Sequence, residues 1–259
     1  MLSDVQRAIE SWPIHEPLIL LTDFDGTLAD FDVNPAAPML TETRREWLRD
    51  IAAQPLTFVG IVSGRRIADL RSRAPLPSHG YYAGLHGMEI EEGSRRWQHP
   101  DLDRARADVV QLIPELGRVA SCFPGALVED KAASVAVHAR GVAYADRADA
   151  LAMADACAGP WLAEGRLRRL AGSLVVEYLP NLSCHKGDAV EWIARDVATR
   201  VGREGWVVFL GDDVTDEDGF RAVGRGIGVL VGSRPTAATH QLDGIAEVDT
   251  LLRWLTGRH

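Results

Sequence analysis

The sequence predicts an α/β fold, an open parallel sheet with a smaller α+β insertion, on three observations. Three short apolar runs each enter a polar turn: Leu18–Thr22 (LILLT) before Asp-Phe-Asp-Gly-Thr, residues 58–62 (FVGIV) before Ser-Gly-Arg, and residues 206–210 (WVVFL) before Gly-Asp-Asp. A helical period separates the first two runs, and the stretch from about 100 to 183 differs in character from both flanks. Short continuous apolar runs read as strands buried on both faces. Strand, helix, strand in that order implies parallel pairing, and open parallel sheets gather their sites at the carboxyl ends of the strands. All three polar clusters fall there.

The helix between the first two strands is expected over 43–54, where Trp47, Leu48, Ile51 and Ala52 recur at helical spacing and Thr43 with Glu46 offers a capping box. In the inserted stretch, a helix at 102–119 leads to 127–140 (LVEDKAASVAVHAR), whose alternation suggests an antiparallel strand with one solvated face. A helix at 144–158 and paired strands at 166–171 and 173–178 complete the order α, β, β, α, β, β. The expected organisation is a core made of residues 1–100 and 184–259, with residues 101–183 inserted as a cap.

Composition narrows the function. With 37 acidic against 28 basic residues, the net charge of -9 argues against a polyanion as partner, because nucleic-acid binders need a basic footprint to displace counterions. No run approaches the roughly 18 apolar residues of a spanning helix, and the first residues carry acids where a signal peptide would be basic and then apolar. Neither membrane insertion nor secretion is expected. Cys122, Cys157 and Cys184 are too widely spaced for a disulfide framework or a metal pair, so a reducing cytoplasm is the expected location. A small phosphorylated ligand remains compatible with this charge if cations are gathered locally.

Asp23 and Asp25 stand two residues apart at a strand end, with Gly26 to turn the chain. Mutual repulsion between two such acids raises one pKa and leaves the other ionised, so one can attack while the other donates a proton. A second acidic group, Asp212, Asp213, Asp216, Glu217 and Asp218, follows a strand that would lie near the first. Carboxylate oxygens in such number suit a hard cation such as magnesium.

These segments, DFDGTL at 23–28, Ser63-Gly64-Arg65, Lys186-Gly187 and GDDVTDE at 211–217, resemble the four ordered motifs of the haloacid dehalogenase superfamily of phosphatases. The resemblance implies a doubly wound, Rossmann-like parallel sheet, a magnesium ion, and phosphoryl transfer through an aspartyl-phosphate. It implies Asp23 as nucleophile and metal ligand, and Asp25 as general acid and base with its main-chain carbonyl on the metal. Ser63 would hold the phosphoryl oxygens and Lys186 would offset charge between nucleophile and phosphate. Asp212 would complete the metal site, with Asp213 and Asp216 as ligands or close behind.

The interval from Asp25 to Ser63 is filled by one helix, a loop and a strand, whereas that from Ser63 to Lys186 has room for a cap. The contents of that interval are more specific. Gly84-Leu85-His86-Gly87, then Glu129-Asp130-Lys131 with Ser134, His138 and Arg140, then Glu177 followed by Pro180, resemble markers of the trehalose-6-phosphate phosphatase family. That likeness implies substrate contacts from Thr27, Gly64, Arg65, His86, Gly87, Glu129, Lys131, His138, Arg140 and Glu177. It also implies a disaccharide phosphate as substrate and association with a trehalose-phosphate synthase. By strand parity Glu129 shares a face with Lys131, and His138 with Arg140. Two departures bear on the sugar: Glu177-Tyr178-Leu179-Pro180 stands where many members have Glu-x-Arg-Pro, and His138-Ala139-Arg140 replaces His-Tyr-Arg. The alternatives are a phosphatase of a related sugar phosphate, of pseudo-disaccharide, sucrose or glucosyl-glycerol type, and a catalytically silent sugar-phosphate-binding regulator. Intact Asp23, Asp25, Lys186 and Asp212 argue against silence.

Overall fold

The computed structural model describes residues 2–30, 32, 37–131 and 133–257. In chain order, the first part forms α1 (Leu2–Glu10), β1 (Leu18–Thr22), α2 (Glu42–Ala52), β2 (Thr57–Val62), α3 (Ile67–Arg73), β3 (Tyr81–Gly84), β4 (Glu89–Glu92) and β5 (Arg95–Gln98). Then come α4 (Leu102–Ser121), β6 (Leu127–Asp130), β7 (Val135–His138), α5 (Arg147–Ala163), β8 (Leu167–Gly172) and β9 (Val175–Pro180). The chain ends with α6 (Lys186–Val201), β10 (Trp206–Gly211), α7 (Glu217–Ala222), β11 (Gly226–Val231), β12 (His240–Leu242) and α8 (Ile245–Thr256). Its described residues divide into two compact units, one containing 37–97 and 184–257 together with the N-terminal segment, the other containing 98–131 and 133–183.

The first unit is a sheet in the order β12-β11-β10-β1-β2-β3-β4-β5, parallel from β12 to β3, with β4 antiparallel to β3. Its central strands are buried on both faces, which is why they read as continuous apolar runs. Leu18 and Leu20 of β1 join one apolar cluster with Val5, Leu48, Ile51, Leu70, Leu251 and Leu252. Ile19 and Leu21 join the opposite cluster with Val190, Ile193, Val197 and Phe220. Helices therefore cover both faces, α1, α2, α3 and α8 on one and α6 and α7 on the other, as in a doubly wound fold. The chain runs outward from β1 through β2 to β3, and later outward from β10 the other way. The loops leaving β1 and β10 thus diverge at the point where strand order reverses, and this opens a crevice.

The second unit is a four-stranded antiparallel sheet, β6-β7-β9-β8, with α4 and α5 against it. Its core joins Val109, Leu112 and Leu116 of α4 to Ala154 and Ala158 of α5, Val135 and Val137 of β7, and Val176 and Tyr178 of β9.

Two local expectations need correction. The cap of α2 is Thr41, whose side chain accepts the Arg44 N–H, so Thr43 sits inside the first turn and forms no capping box with Glu46. The alternating stretch 127–140 is a hairpin, β6 and β7, closed where the Lys131 N–H donates to the Ser134 carbonyl at 2.9 Å. Among the described residues no helix is long and apolar enough to cross a membrane.

Candidate active site

Asp23 extends β1 by one residue, and its N–H donates to the Leu210 carbonyl of β10 at 2.8 Å, so parallel pairing itself sets Asp23 beside the start of the Asp212 loop. Lys186 is the first residue of α6 and is buried, at 2 % exposure. Its Nζ donates to Asp216 Oδ1 at 2.7 Å and lies 3.1 Å from Asp23 Oδ1. A cation opposes the dipole at a helix start. Here the opposition is met by a reciprocal cap, in which the His185 ring accepts the Asp188 N–H while the Asp188 carboxylate accepts the His185 N–H.

Asp23, Asp212 and Asp216 each place a carboxylate oxygen within 4.8 Å of the others. Asp216 is fully buried; besides Lys186 it accepts the N–H groups of Asp212 at 3.0 Å and Asp213 at 2.9 Å. Asp212 also accepts the Thr27 hydroxyl at 3.2 Å. Burial pushes the Asp23 carboxyl well above the usual range, with Asp216, Asp212 and Asp25 adding repulsion and Lys186 opposing it. Burial, then Asp216, pushes Asp212 up to about 7. Although burial works against its charge, Asp216 and Asp23 raise Lys186 above its ordinary value, so it stays an ammonium.

This donor set, all oxygen and carrying more carboxylate charge than one lysine balances, fits a hard divalent cation. Asp23 and Asp212 would hold it. Asp216 belongs to the same cluster, and its bonds to Lys186 and to two backbone N–H groups also brace the loop that carries Asp212. Asp213 lies outside the cluster of three among the described residues.

Asp25 is gripped by Arg65, whose Nε and Nη2 donate to its two carboxylate oxygens, each at 2.7 Å. Nη1 of the same guanidinium donates to Asp69 at 2.9 Å, and the group stacks over Phe24, 5.6 Å from the ring centre. Arg65, read from the sequence as a substrate contact, is thus committed to the carboxylate two residues from Asp23. The i, i+4 spacing from Arg65 to Asp69 signals the second of these bonds, while nothing in the spacing signals the bond to Asp25. Ser63, at the end of β2, is buried and its Oγ accepts the Arg65 N–H at 3.3 Å. The His86 N–H donates to the Ser63 carbonyl at 3.0 Å, which stitches the loop after β3 to the loop after β2. Two glycines permit this packing. A Cβ on Gly64 would lie 2.7 Å from His86 Nε2, and Gly87, at φ +101°, faces the His185 carbonyl, which a Cβ would meet at 2.7 Å.

In the second unit, Glu177 of β9 is buried and accepts Ser134 Oγ at 2.6 Å and Lys131 Nζ at 2.8 Å. Glu129 pairs with His138 at 2.9 Å across β6 and β7. Glu129 pairs in register with Ala136, and Ala136 with Glu177, so the reach of Lys131 to Glu177 keeps it on the face of Glu129, as strand parity predicts. β7 ends at His138, so Arg140 lies beyond the strand. The Arg140 carbonyl accepts Arg147 Nη2 at 3.0 Å.

One residue absent from the sequence reading also touches this framework. Arg234, in the loop after β11, donates to the main-chain carbonyls of Asp212 and Asp213. No motif or spacing marks it, because its partners are backbone atoms.

A family profile described as trehalose-phosphatase matches residues 21–245. A trehalose-phosphate phosphatase of Mycobacterium bovis is 36 % identical over 235 residues, covering 87 % of this chain and 58 % of that protein. The chain therefore spans a little over half the length of such trehalose-phosphate phosphatase relatives. Among solved structures, the C-terminal domain of Candida albicans trehalose-6-phosphate phosphatase superposes with a TM-score of 0.82 at 20 % identity, over 98 % of this chain and 96 % of that one. A haloacid dehalogenase-like hydrolase from B. subtilis gives 0.56 at 15 % identity, over 91 % and 98 %. These structural likenesses establish the fold.

Proposed function

Because the chain belongs to the trehalose-phosphatase family, we propose that it hydrolyses trehalose 6-phosphate to trehalose and inorganic phosphate, with Asp23 as nucleophile. The observation that carries this reading is the convergence at one end of the sheet of a buried aspartate, a buried lysine bonded to it and a second acid two residues on. An Asp23 oxygen attacks phosphorus, the bond from phosphorus to the sugar oxygen breaks, and Asp25 supplies the proton that the departing oxygen takes. In the second half, Asp25 removes a proton from water as the water attacks the aspartyl-phosphate, and Asp23 is released. To carry a proton, Asp25 must free one of the oxygens that Arg65 holds. Lys186, fixed as an ammonium beside Asp23, balances the charge that builds between carboxylate and phosphoryl group, and Ser63 offers a hydroxyl to the phosphoryl oxygens. A magnesium ion on Asp23 and Asp212 would supply further neutralisation of those oxygens.

In the second unit, Glu177 with Lys131 and Ser134, and Glu129 with His138, present the paired acceptors and donors that sugar hydroxyls require, and we assign them to substrate recognition. Cys122 and Cys157 are free thiols, which supports a reducing, cytoplasmic location. The substrate must come from a transferase that builds the phosphorylated disaccharide, and association with such a trehalose-phosphate synthase is part of the same proposal; a pull-down with the synthase tests it.

The deciding experiment is phosphate release from trehalose 6-phosphate beside glucose 6-phosphate and sucrose 6-phosphate, with and without magnesium. Preference for trehalose 6-phosphate that depends on magnesium is expected. Faster turnover of either other ester would overturn the substrate, and full activity in excess chelator would overturn the metal.

A further inference from the structure

The loop that carries Asp212 is held by its backbone from two sides. Its donors are taken by Asp216, whose Oδ2 accepts the N–H groups of both Asp212 and Asp213. Its acceptors are taken by Arg234: Nε donates to the Asp212 carbonyl at 2.9 Å and Nη2 to the Asp213 carbonyl. Nη1 of the same guanidinium meets the Glu217 carboxylate and the Pro235 carbonyl. Glu217 in turn accepts the Thr236 hydroxyl and the Ala237 N–H, each at 2.7 Å, and so anchors the segment from which Arg234 projects. The result is a closed circuit, from the Asp212 loop to Arg234, to Glu217 at the start of α7, and back along the chain.

We propose that Arg234 is a positioning residue for the divalent-cation site, fixing the Asp212 main chain so that its carboxylate stands beside Asp23. This rests on reading the acidic cluster as a metal site. The argument is geometric. A planar fork of donors reaches two successive carbonyls and a carboxylate at once, which the single ammonium of a lysine cannot do. Charge alone would act in the opposite sense, because a cation near a metal site weakens metal binding and its removal would tighten it. Arg234 is paired with Glu217, so that opposing effect is muted and the loss of positioning dominates.

The test is thermal unfolding of the full chain, wild type, Arg234→Lys and Arg234→Gln, across a magnesium chloride titration without substrate. The wild type should be stabilised by magnesium. The concentration giving half of that stabilisation should rise by about 10-fold or more in both variants, in the range seen when groups supporting metal ligands are lost. Lysine should not restore it. A wild type indifferent to magnesium would overturn the metal reading itself. A responsive wild type with variants of equal or tighter affinity would overturn the role of Arg234 alone, as would a lysine variant that matches wild type. Should Arg234→Gln not fold, Arg234→Lys carries the measurement, and failure of both to fold would make Arg234 a residue of the fold and overturn the proposal.

Discussion

Replacing Lys186 by Met tests how the acidic cluster is held, because the two side chains are close in volume and the change removes charge with little cavity. Lys186 bonds Asp216 at 2.7 Å and lies 3.1 Å from Asp23, all three being buried. Removing one partner of a buried ion pair costs roughly 3–5 kcal/mol, a large part of the about 5–15 kcal/mol that holds a typical domain folded. The sign with pH follows from the protons. Without the ammonium, the folded cluster holds more protons than it does in wild type, since carboxyls already raised by burial lose their one opposing cation. A folded state that binds the extra proton loses stability as pH rises, by about 1.4 kcal/mol per pH unit and so roughly 2.7 kcal/mol between pH 6 and 8. Urea unfolding of both chains in chelator, at pH 6 and pH 8, reads this directly. The gap between wild type and Lys186→Met should widen toward pH 8, and magnesium should narrow it. Turnover of the sugar phosphate should fall by roughly 10²–10³-fold, the scale of losing one preorganised charge-stabilising donor. Parallel stability at the two pH values, or a variant as stable as wild type at pH 8, would refute the view that Lys186 lowers the proton affinity of these carboxylates.

Asp25→Asn should lower turnover of trehalose 6-phosphate by roughly 10²–10⁴-fold, while an activated aryl phosphate, whose leaving group needs no proton, loses far less; equal losses would remove the acid role. Magnesium should stabilise the wild-type chain more at pH 8 than at pH 6, because Asp212 sits near 7 without the ion and must be ionised to bind it; differential scanning fluorimetry at the two pH values checks the sign. Glu177→Gln, which keeps an acceptor for Ser134 but removes the charge opposite Lys131, should raise KM for the disaccharide phosphate on the order of 10-fold. It should leave an aryl phosphate unaffected, and steady-state kinetics on both substrates would expose a merely structural residue as an equal loss.

The strands and the polar residues at their ends were legible for one physical reason. A strand buried on both faces must be apolar throughout, so a sudden Asp-x-Asp or Gly-Asp-Asp marks both its end and the crevice. What stayed illegible depends on angles smaller than one residue of register. Thr41 and Thr43 stand on either side of the first residue of the same helix, and Thr41, its backbone extended at φ -67° and ψ 153°, turns its oxygen onto the Arg44 N–H. Arg140 stands two residues past the end of β7, where strand alternation no longer places a side chain.

Asp213 and Asp216 show the same effect at the centre of the site. Both follow β10 within a few residues, and composition gives no reason to prefer either. A single 3-10 turn over Val214–Asp216 decides it: Asp216 is swung back under the loop, fully buried, with one oxygen on Lys186 and the other on two backbone N–H groups. A carboxylate can be buried that deeply only where every lone pair facing the protein is met, and the loop's own amides meet half of them. Burial of Asp216 and placement of Asp212 are therefore one event. The acid four residues beyond Asp212 thus braces the loop that carries it, and the Asp212 and Asp213 carbonyls of the same loop are bonded by Arg234.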